Sequence, residues 1–467
     1  MLKLQFLGAA GQVTGSKYFV HSSTSRGILV DCGLFQGPKE LREMNWTELP
    51  ISTGNIGTVL ITHAHLDHIG YLPRLVKHGY KGQILATEAT IEIAGYVLRD
   101  SAHLQEEDAE HANKHHYARH RPALPLYVSE DAEAALTLFQ EIKRGKKRIL
   151  HDSVAAEYSN AGHILGSCSI RVEKRYDDRD PISILFSGDI GRRKPIYLKP
   201  RDPAPAADYI VCESTYGDRL HKDIPPLEEL RDIVLEAVKT SSVLLIPAFA
   251  VDRTQELMFC LNTLMREGQL PDTLPVYVDS PMANGVTDIY DKFCDEHTFT
   301  QEELNEPDKN PLRFKSLRIV STPEESKHLN DLNGPAVIIS ASGMATGGRI
   351  MHHLFHRLNQ PDTMVLFTGF QAEETLGRVL IEGEKHVHIF GEQIEVKARV
   401  AKLNSFSGHA DQSEILDWLR TVPNAPKTLF LTHGEDAARK VLKEKIESEL
   451  GWTVVLPHIG DLVDLEA

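Results

Sequence analysis

Over roughly the first 200 residues, apolar positions cluster in short blocks closed by glycines or polar residues. The runs Leu2–Leu7, Tyr18–Val20, Gly27–Val30, Thr58–Ile61 and Gln83–Ala86 predict strands, and Ser169–Val172, Ile182–Phe186 and Tyr209–Val211 continue the series. Between them the period lengthens to that of helices at Ile69–His78, Glu88–Glu107 and Ser129–Ile142. Short strands flanked by helices predict sheets covered by helices. From Pro225 the rhythm changes: helix Pro225–Lys239, strand Ser242–Ile246, helix Arg253–Glu267, strand Pro275–Val278. Strand Pro335–Ser340, the turn SGMATGGR, a helix to Leu358 and strand Met364–Thr368 follow. Strand–helix alternation at this spacing predicts βαβ units and a parallel sheet. The tail returns to short strands, with helices at Gln412–Thr421 and Glu435–Leu450.

Composition narrows the class. The chain has 467 residues, 41% hydrophobic and 25% charged, which excludes a mostly disordered chain and leaves room for two large domains. Its net charge of −15 excludes binding nucleic acid through bulk charge, so any such partner must enter a local cationic or metal-lined cleft. The N-terminal block is broken by Gln5 and Gln12 and reads as a strand and turn, not a signal peptide. No run of ~18 apolar residues predicts a membrane helix. Cysteines 32, 168, 212, 260 and 294 are odd in number and lack CxxC spacing, which favours buried thiols in a reducing, cytoplasmic setting.

The strongest chemical signal is Thr62-His63-Ala64-His65-Leu66-Asp67-His68, directly after a strand. Zinc needs several His nitrogens and carboxylate oxygens converging, and residues i and i+2 of a strand share a face, so His63 and His65 can point together. Asp67 and His68 can reach a second position as the chain turns into a helix. A dinuclear site also needs a bridging carboxylate and more imidazoles. Asp189 follows strand Ile182–Phe186, His163 sits in a glycine-bounded loop, and His433 follows strand Thr428–Leu431. Each alone reads equally as a turn residue; together they supply a two-metal set.

HAHLDH, GHILGS and SGDIG resemble the metallo-β-lactamase fold, an αβ/βα sandwich of the α/β class. CESTYGDR, FSGHAD and LTHGE resemble the further motifs of its β-CASP branch, the nucleic-acid hydrolases. IPAFAVDRTQEL and SASGMATGGRIMHHL are similar to bacterial and archaeal ribonucleases akin to the endonuclease subunit of the pre-mRNA cleavage and polyadenylation factor. No KH-type GxxG extension precedes the catalytic region. The resemblance implies a metallo-β-lactamase domain over 1–216 and 397–467, with an inserted β-CASP domain over 217–396 on a mostly parallel sheet. It implies one zinc held by His63, His65 and His163, a second held by Asp67, His68 and His433, and Asp189 bridging them. Asp31 would orient ligands from behind, as metal sites require; a turn aspartate is the plainer reading of its DCG context.

Two zinc ions acidify a water and clamp a phosphoryl group during in-line displacement. The leaving 3′-oxygen needs a proton, and the resemblance assigns its delivery to His409, with Glu213 on the other ring nitrogen favouring the charged form. A surface turn and a helix cap are the plainer readings of these two residues. Asp67, Glu213 and His409 form the expected catalytic set. The turn holding Ser342, Gly343 and Thr346 opens a helix and can cradle phosphate with backbone N–H groups, although such turns also occur as pure structure. Arg253 reads as a fixed positive charge for substrate phosphate or as a salt-bridge partner. Gly11–Ser16 is expected at the mouth of the site. The histidines of His103–His120 lie at helical spacing among mixed charges and read as a solvated helix.

The resulting expectation is a zinc-dependent endoribonuclease, with 5′-exonuclease trimming admitted, acting on single-stranded RNA. A homodimer is one admissible assembly, and no membrane partner is expected. Same-fold hydrolases of DNA, a thioester, a lactam or a small phosphodiester are the alternatives. In the DNA-directed branch an aliphatic residue stands where this chain has His433. An inactive processing-complex scaffold would have lost ligands, and none of the expected set is missing here.

Overall fold

The computed structural model describes residues 2–22, 25–115, 122–151, 153–221, 224–306, 309–369, 371–372, 374–403 and 405–466. They divide into two units, Met1–Leu220 with His409–Ala467 and His221–Gly408.

The first unit opens with β1 (Leu2–Phe6), β2 (Tyr18–Ser22), β3 (Ser25–Val30), β4 (Ile56–Leu60), β5 (Gln83–Ala86) and β6 (Phe139–Glu141). A second series follows: β7 (Arg148–His151), β8 (Val154–Asn160), β9 (Cys168–Lys174), β10 (Ile182–Phe186) and β11 (Tyr209–Cys212). The second unit carries β12 (Val243–Pro247), β13 (Val276–Asp279), β14 (Leu317–Ile319), β15 (Ala336–Ser340), β16 (Thr363–Phe367), the hairpin β17 (His386–Ile389) and β18 (Glu392–Glu395), and β19 (Arg399–Lys402). The chain then returns to the first unit with β20 (Thr428–Leu431), β21 (Val454–Val455) and β22 (Leu462–Leu465).

Two seven-stranded sheets build the first unit, in the orders β22-β1-β2-β3-β4-β5-β6 and β21-β20-β11-β10-β9-β8-β7. Their alternating apolar residues meet in one core containing Leu4, Phe6, Val30, Leu60, Ile170, Ile184, Phe186, Val211 and Phe430. Helices Gln412–Leu419 and Asp436–Leu450 cover the other face of the second sheet through Ile415, Leu416, Leu442 and Ile446. This is the αβ/βα sandwich the motifs imply.

The second unit is a six-stranded, wholly parallel sheet ordered β14-β13-β15-β12-β16-β19. Its near-continuous apolar strands, such as VLLIP and AVIIS, are buried along their whole length, as a parallel sheet covered on both faces requires. The unit extends to Gly408 because β19 pairs with β16.

Two expected elements differ. The helix expected over Ser129–Ile142 stops at Leu136, and Phe139–Glu141 instead joins the sheet edge beside β5. The helix expected over Ile69–His78 is two short helices, Leu66–Ile69 and Leu72–Lys77, which turn on Gly70. The long helix runs from Glu88 to His115; His103 ion-pairs with Glu107 at 3.3 Å on its exposed face, and residues 116–120 of the histidine-rich segment lie outside the described residues. Among the described residues no helix is long and apolar enough to cross a membrane.

Candidate metal centre

Parallel strand ends feed the site. β3 runs into Asp31, and its parallel neighbour β4 runs into Thr62 and His63. In the other sheet, the parallel strands β10, β11 and β20 run into Asp189, Glu213 and His433. Parallel neighbours end side by side, so residues hundreds of positions apart meet without long side chains. His65 caps helix Leu66–Ile69, which carries Asp67 and His68 on its first turn. Loop backbones approach closely behind them: a Cβ on Gly33 would lie 1.6 Å from the Asp67 carbonyl oxygen.

His63, His65, His163 and Asp189 form one cluster with ligand atoms within 4.8 Å of one another. His63 Nε2 and His163 Nε2 lie 3.1 and 3.3 Å from His65 Nδ1, and 3.4 and 3.5 Å from Asp189 Oδ2. A tetrahedron with such edges has its centre about 2 Å from each corner, the distance zinc keeps from imidazole nitrogen and carboxylate oxygen. Asp67, His68 and His433 form a second cluster. His433 Nε2 lies 3.2 Å from both Asp67 Oδ2 and His68 Nε2, while Asp189 Oδ1 is 3.3 Å from His68 Nε2 and 3.6 Å from His433 Nε2. Asp189 therefore turns one oxygen to each cluster. Its Oδ1 is buried and, among the described residues, has no hydrogen-bond partner, only the His68 and His433 ring nitrogens facing it at 3.3 and 3.6 Å, a costly state for a carboxylate oxygen that a cation relieves. The donor set, imidazole nitrogens with carboxylate oxygens, fits a small, borderline-soft cation.

Neighbouring groups aim the imidazole lone pairs. His68 Nδ1 bonds Asp31 Oδ2 at 2.7 Å, so that in the singly protonated ring that ligates a metal Nε2 is the free acceptor facing the site. Thr62 Oγ1 donates to Asp31 Oδ2 at 2.8 Å and so receives its 3.1 Å bond from the His63 Nδ1–H. Thr215 Oγ1 donates to Glu213 Oε2 at 2.6 Å and receives the 3.0 Å bond from His433 Nδ1. Ser16, at the end of the Gly11–Ser16 loop, brings Oγ to 3.5 Å from His68 Nε2, and the His433 amide donates to the Ala9 carbonyl at 2.7 Å.

Burial, with the neighbouring imidazoles, holds His63 and His65 well below the usual histidine range, in the neutral form that ligates. Burial acts the same way on His68, but the Asp189 and Asp31 carboxylates overcome it and hold that proton well above the usual range. Burial raises Asp67, yet its bond to His433 and the charge of His68 bring it down to about 2.

Beside the clusters, His409 Nδ1 faces both Glu213 oxygens at 3.2 and 3.3 Å, and its Nε2 lies 4.0 Å from Asp189 Oδ2. Glu213 is buried and also accepts from the Ile190 amide. Burial opposes the charge on His409, but Glu213 and Asp189 lift it to about 9. The expected ligands, Asp31, Glu213 and His409 are thus brought together within the first unit.

Ser342, Gly343, Thr346 and Arg253 belong to the second unit. Ser342 and Thr346 hydroxyls lie 3.2 Å apart in the turn after β15. Arg253 is buried and ion-pairs with Glu256. Sequence reasoning passed over Thr62, Thr215 and Ser16. The signal available for the threonines was their direct adjacency to the histidine motif and to Glu213-Ser214.

The chain matches known families and proteins. Residues 11–227 match the metallo-beta-lactamase superfamily, 254–380 the Beta-Casp domain and 393–457 the Zn-dependent metallo-hydrolase RNA specificity domain. Ribonuclease TTHA0252 of Thermus thermophilus is 35% identical over 97% of this chain and 98% of its own. From Methanocaldococcus jannaschii, an RNase J-like protein is 29% identical over 93% of both chains, and transcription termination factor FttA is 27% identical over 93% of this chain and 67% of its own. A crystal structure of a protein of unknown function from Enterococcus faecalis V583 shares the fold, at TM-score 0.53 and 12% identity, over 99% of this chain and 100% of its own. The chain belongs to the β-CASP ribonuclease family of the metallo-β-lactamase superfamily. Its metallo-hydrolase domains and the His/Asp clusters define a metal-binding site.

Proposed function

We propose that this protein is a two-zinc endoribonuclease that hydrolyses phosphodiester bonds of single-stranded RNA. The observation that carries the reading is Asp189, whose two oxygens face two separate nitrogen-rich clusters. His63, His65 and His163 would hold one zinc, Asp67, His68 and His433 the other, with Asp189 shared. Bound zinc supplies an acidified water and a charge clamp on the phosphoryl oxygens. Asp67, the more exposed of the carboxylates in these clusters, orients the attacking water by accepting its hydrogen bond. His409 donates the proton from Nε2 to the leaving 3′-oxygen. Glu213, pinned by the Ile190 amide and Thr215, keeps that imidazole charged and its ring turned. Ser342, Gly343 and Thr346 take a substrate phosphate through hydroxyls and backbone amides. The named relatives support RNA as the polymer.

Zinc-loaded protein tested on end-labelled single-stranded RNA, DNA of the same sequence and a nitrophenyl phosphodiester decides the substrate class. RNA should be cut internally and DNA far more slowly. Equal cleavage of both polymers would make it a general nuclease, and hydrolysis of the small ester alone would make it a phosphodiesterase.

A further inference from the structure

The sheet of the second unit reverses direction at one place. β12 and β15 are parallel neighbours, registered from Val243 against Ala336 to Pro247 against Ser340. β12 continues through helix Arg253–Arg266 to β13, on the β15 side, whereas β15 continues through helix Arg349–Arg357 to β16, on the β12 side. Right-handed crossovers in opposite directions put these helices on opposite faces. Their packing agrees: the first lies against helix Pro281–Lys292 and the second against the turn Leu329–Asp331. The two outgoing loops therefore part to opposite faces and open a crevice at the carboxyl edge, where open α/β sheets take their ligands.

Phe249 stands in that crevice, on the loop leaving β12. Ala248, Ala250, Val251, Asp252 and Arg253 around it are buried, yet Phe249 is 38% exposed. Its backbone is anchored. The Phe249 carbonyl accepts from the Thr254 amide at 3.2 Å and from Thr254 Oγ1 at 2.9 Å. Its ring lies against the opposite lip, on Gly343, where a Cβ would come within 2.7 Å of Cδ2. The same lip carries the Ser342 and Thr346 hydroxyls, 3.2 Å apart. A solvent-facing aromatic ring packed on a glycine, beside the hydroxyls of the same turn, matches one nucleotide: a π-surface for the base, hydroxyl donors for the phosphate.

We propose that Phe249 is a stacking platform for one base of single-stranded RNA. The identity of this ligand rests on the ribonuclease reading. Binding is measured in the full-length, zinc-loaded chain carrying His409→Ala to slow cleavage. Probes are a single-stranded RNA oligomer and an abasic oligomer of equal length, which keeps the phosphates and lacks bases. Adding Phe249→Ala should weaken RNA by about 5- to 150-fold, the range that alanine substitution of stacking aromatics gives. It should leave abasic binding and the salt slope unchanged, because no phosphate contact is removed. Phe249→Trp should keep RNA affinity and lose tryptophan fluorescence on RNA, but not abasic, addition. RNA affinity within about twofold of the parent in Phe249→Ala, or equal loss for both oligomers, overturns the proposal. So does a Phe249→Trp signal identical for both. A Phe249 effect in a chain that cuts no RNA would overturn the ribonuclease reading and leave the stacking site standing.

Discussion

Asp31 Oδ2 receives the Nδ1–H of His68 at 2.7 Å, and His68 Nε2 thereby faces His433 Nε2 across 3.2 Å. One carboxylate, itself outside both clusters, sets which nitrogen of a ligand is free to bind. Asp31→Ala should weaken metal at the second cluster by about 10- to 100-fold, the usual cost of removing such a partner. Competition against a chromogenic chelator measures this, and unchanged affinity would make Asp31 an ordinary turn residue.

Metal binding and proton delivery separate in two variants. His409→Ala should keep its metal content and slow RNA cleavage by ~10²–10⁴-fold, the scale of a lost general acid. His433→Ala should lose metal as well as activity. A nitrophenyl phosphodiester needs little leaving-group protonation, so it should largely rescue His409→Ala and not His433→Ala. Elemental analysis beside the two assays reads all of this; metal loss in His409→Ala would reverse the assignment.

The charge on His409 sets a pH limb. Its value is raised above the ordinary imidazole 6.5 to about 9, with Glu213 the leading cause against the opposing burial. The acid works while protonated, so activity is lost as pH rises through that value. Glu213→Gln removes the charge that holds the proton, and the alkaline loss should begin at lower pH, by about one unit or more. A kcat–pH profile of unmoved alkaline limb would show that Glu213 only packs.

Loading the site should release protons. Asp189 and Asp31 outweigh burial and raise His68 well above the usual range, so the metal-free protein favours its protonated form. A ligand nitrogen must be neutral, and metal must displace that proton. Apparent zinc affinity should therefore rise with pH, by ~10-fold per unit for each proton released. Calorimetry in buffers of different ionisation enthalpy counts the protons, and a count of zero would contradict this.

Gly33 has no room for a side chain, since a Cβ would meet the Asp67 carbonyl at 1.6 Å. Gly33→Ala must push back the turn that carries Asp67 and His68, with a loss of roughly 1–3 kcal/mol of stability as in overpacked cores. Metal at the second cluster should weaken more than at the first. Denaturation with and without zinc, together with metal titration, distinguishes the two sites.

The histidine motif was legible because its ligands are contiguous and follow a strand. Asp189, His163 and His433 were legible only as a set, each being an ordinary turn residue until parallel strands bring the turns together. The hydroxyls of Thr62 and Thr215 were not, because a threonine carries no sign that it will relay a hydrogen bond to a particular ring. Helix and strand were confused at Phe139–Glu141, where a short, mostly polar segment pairs with the edge of the sheet beside β5. Arg253 read equally as a phosphate contact or a salt-bridge partner, and nothing in the sequence marked Glu256, one helical turn along, as its ion-pair partner.

The first unit is stitched from both ends of the chain, with β1 pairing β22 and β20 beside β11. During synthesis this imposes a schedule. A nascent polypeptide that has emerged as far as the end of the inserted unit carries His63, His65, His163 and Asp189, but has neither His409 nor His433. It cannot close the first sheet or assemble the second cluster. A nuclease made beside its own messenger would thus stay chemically incomplete until the segment that carries His433 has left the ribosome.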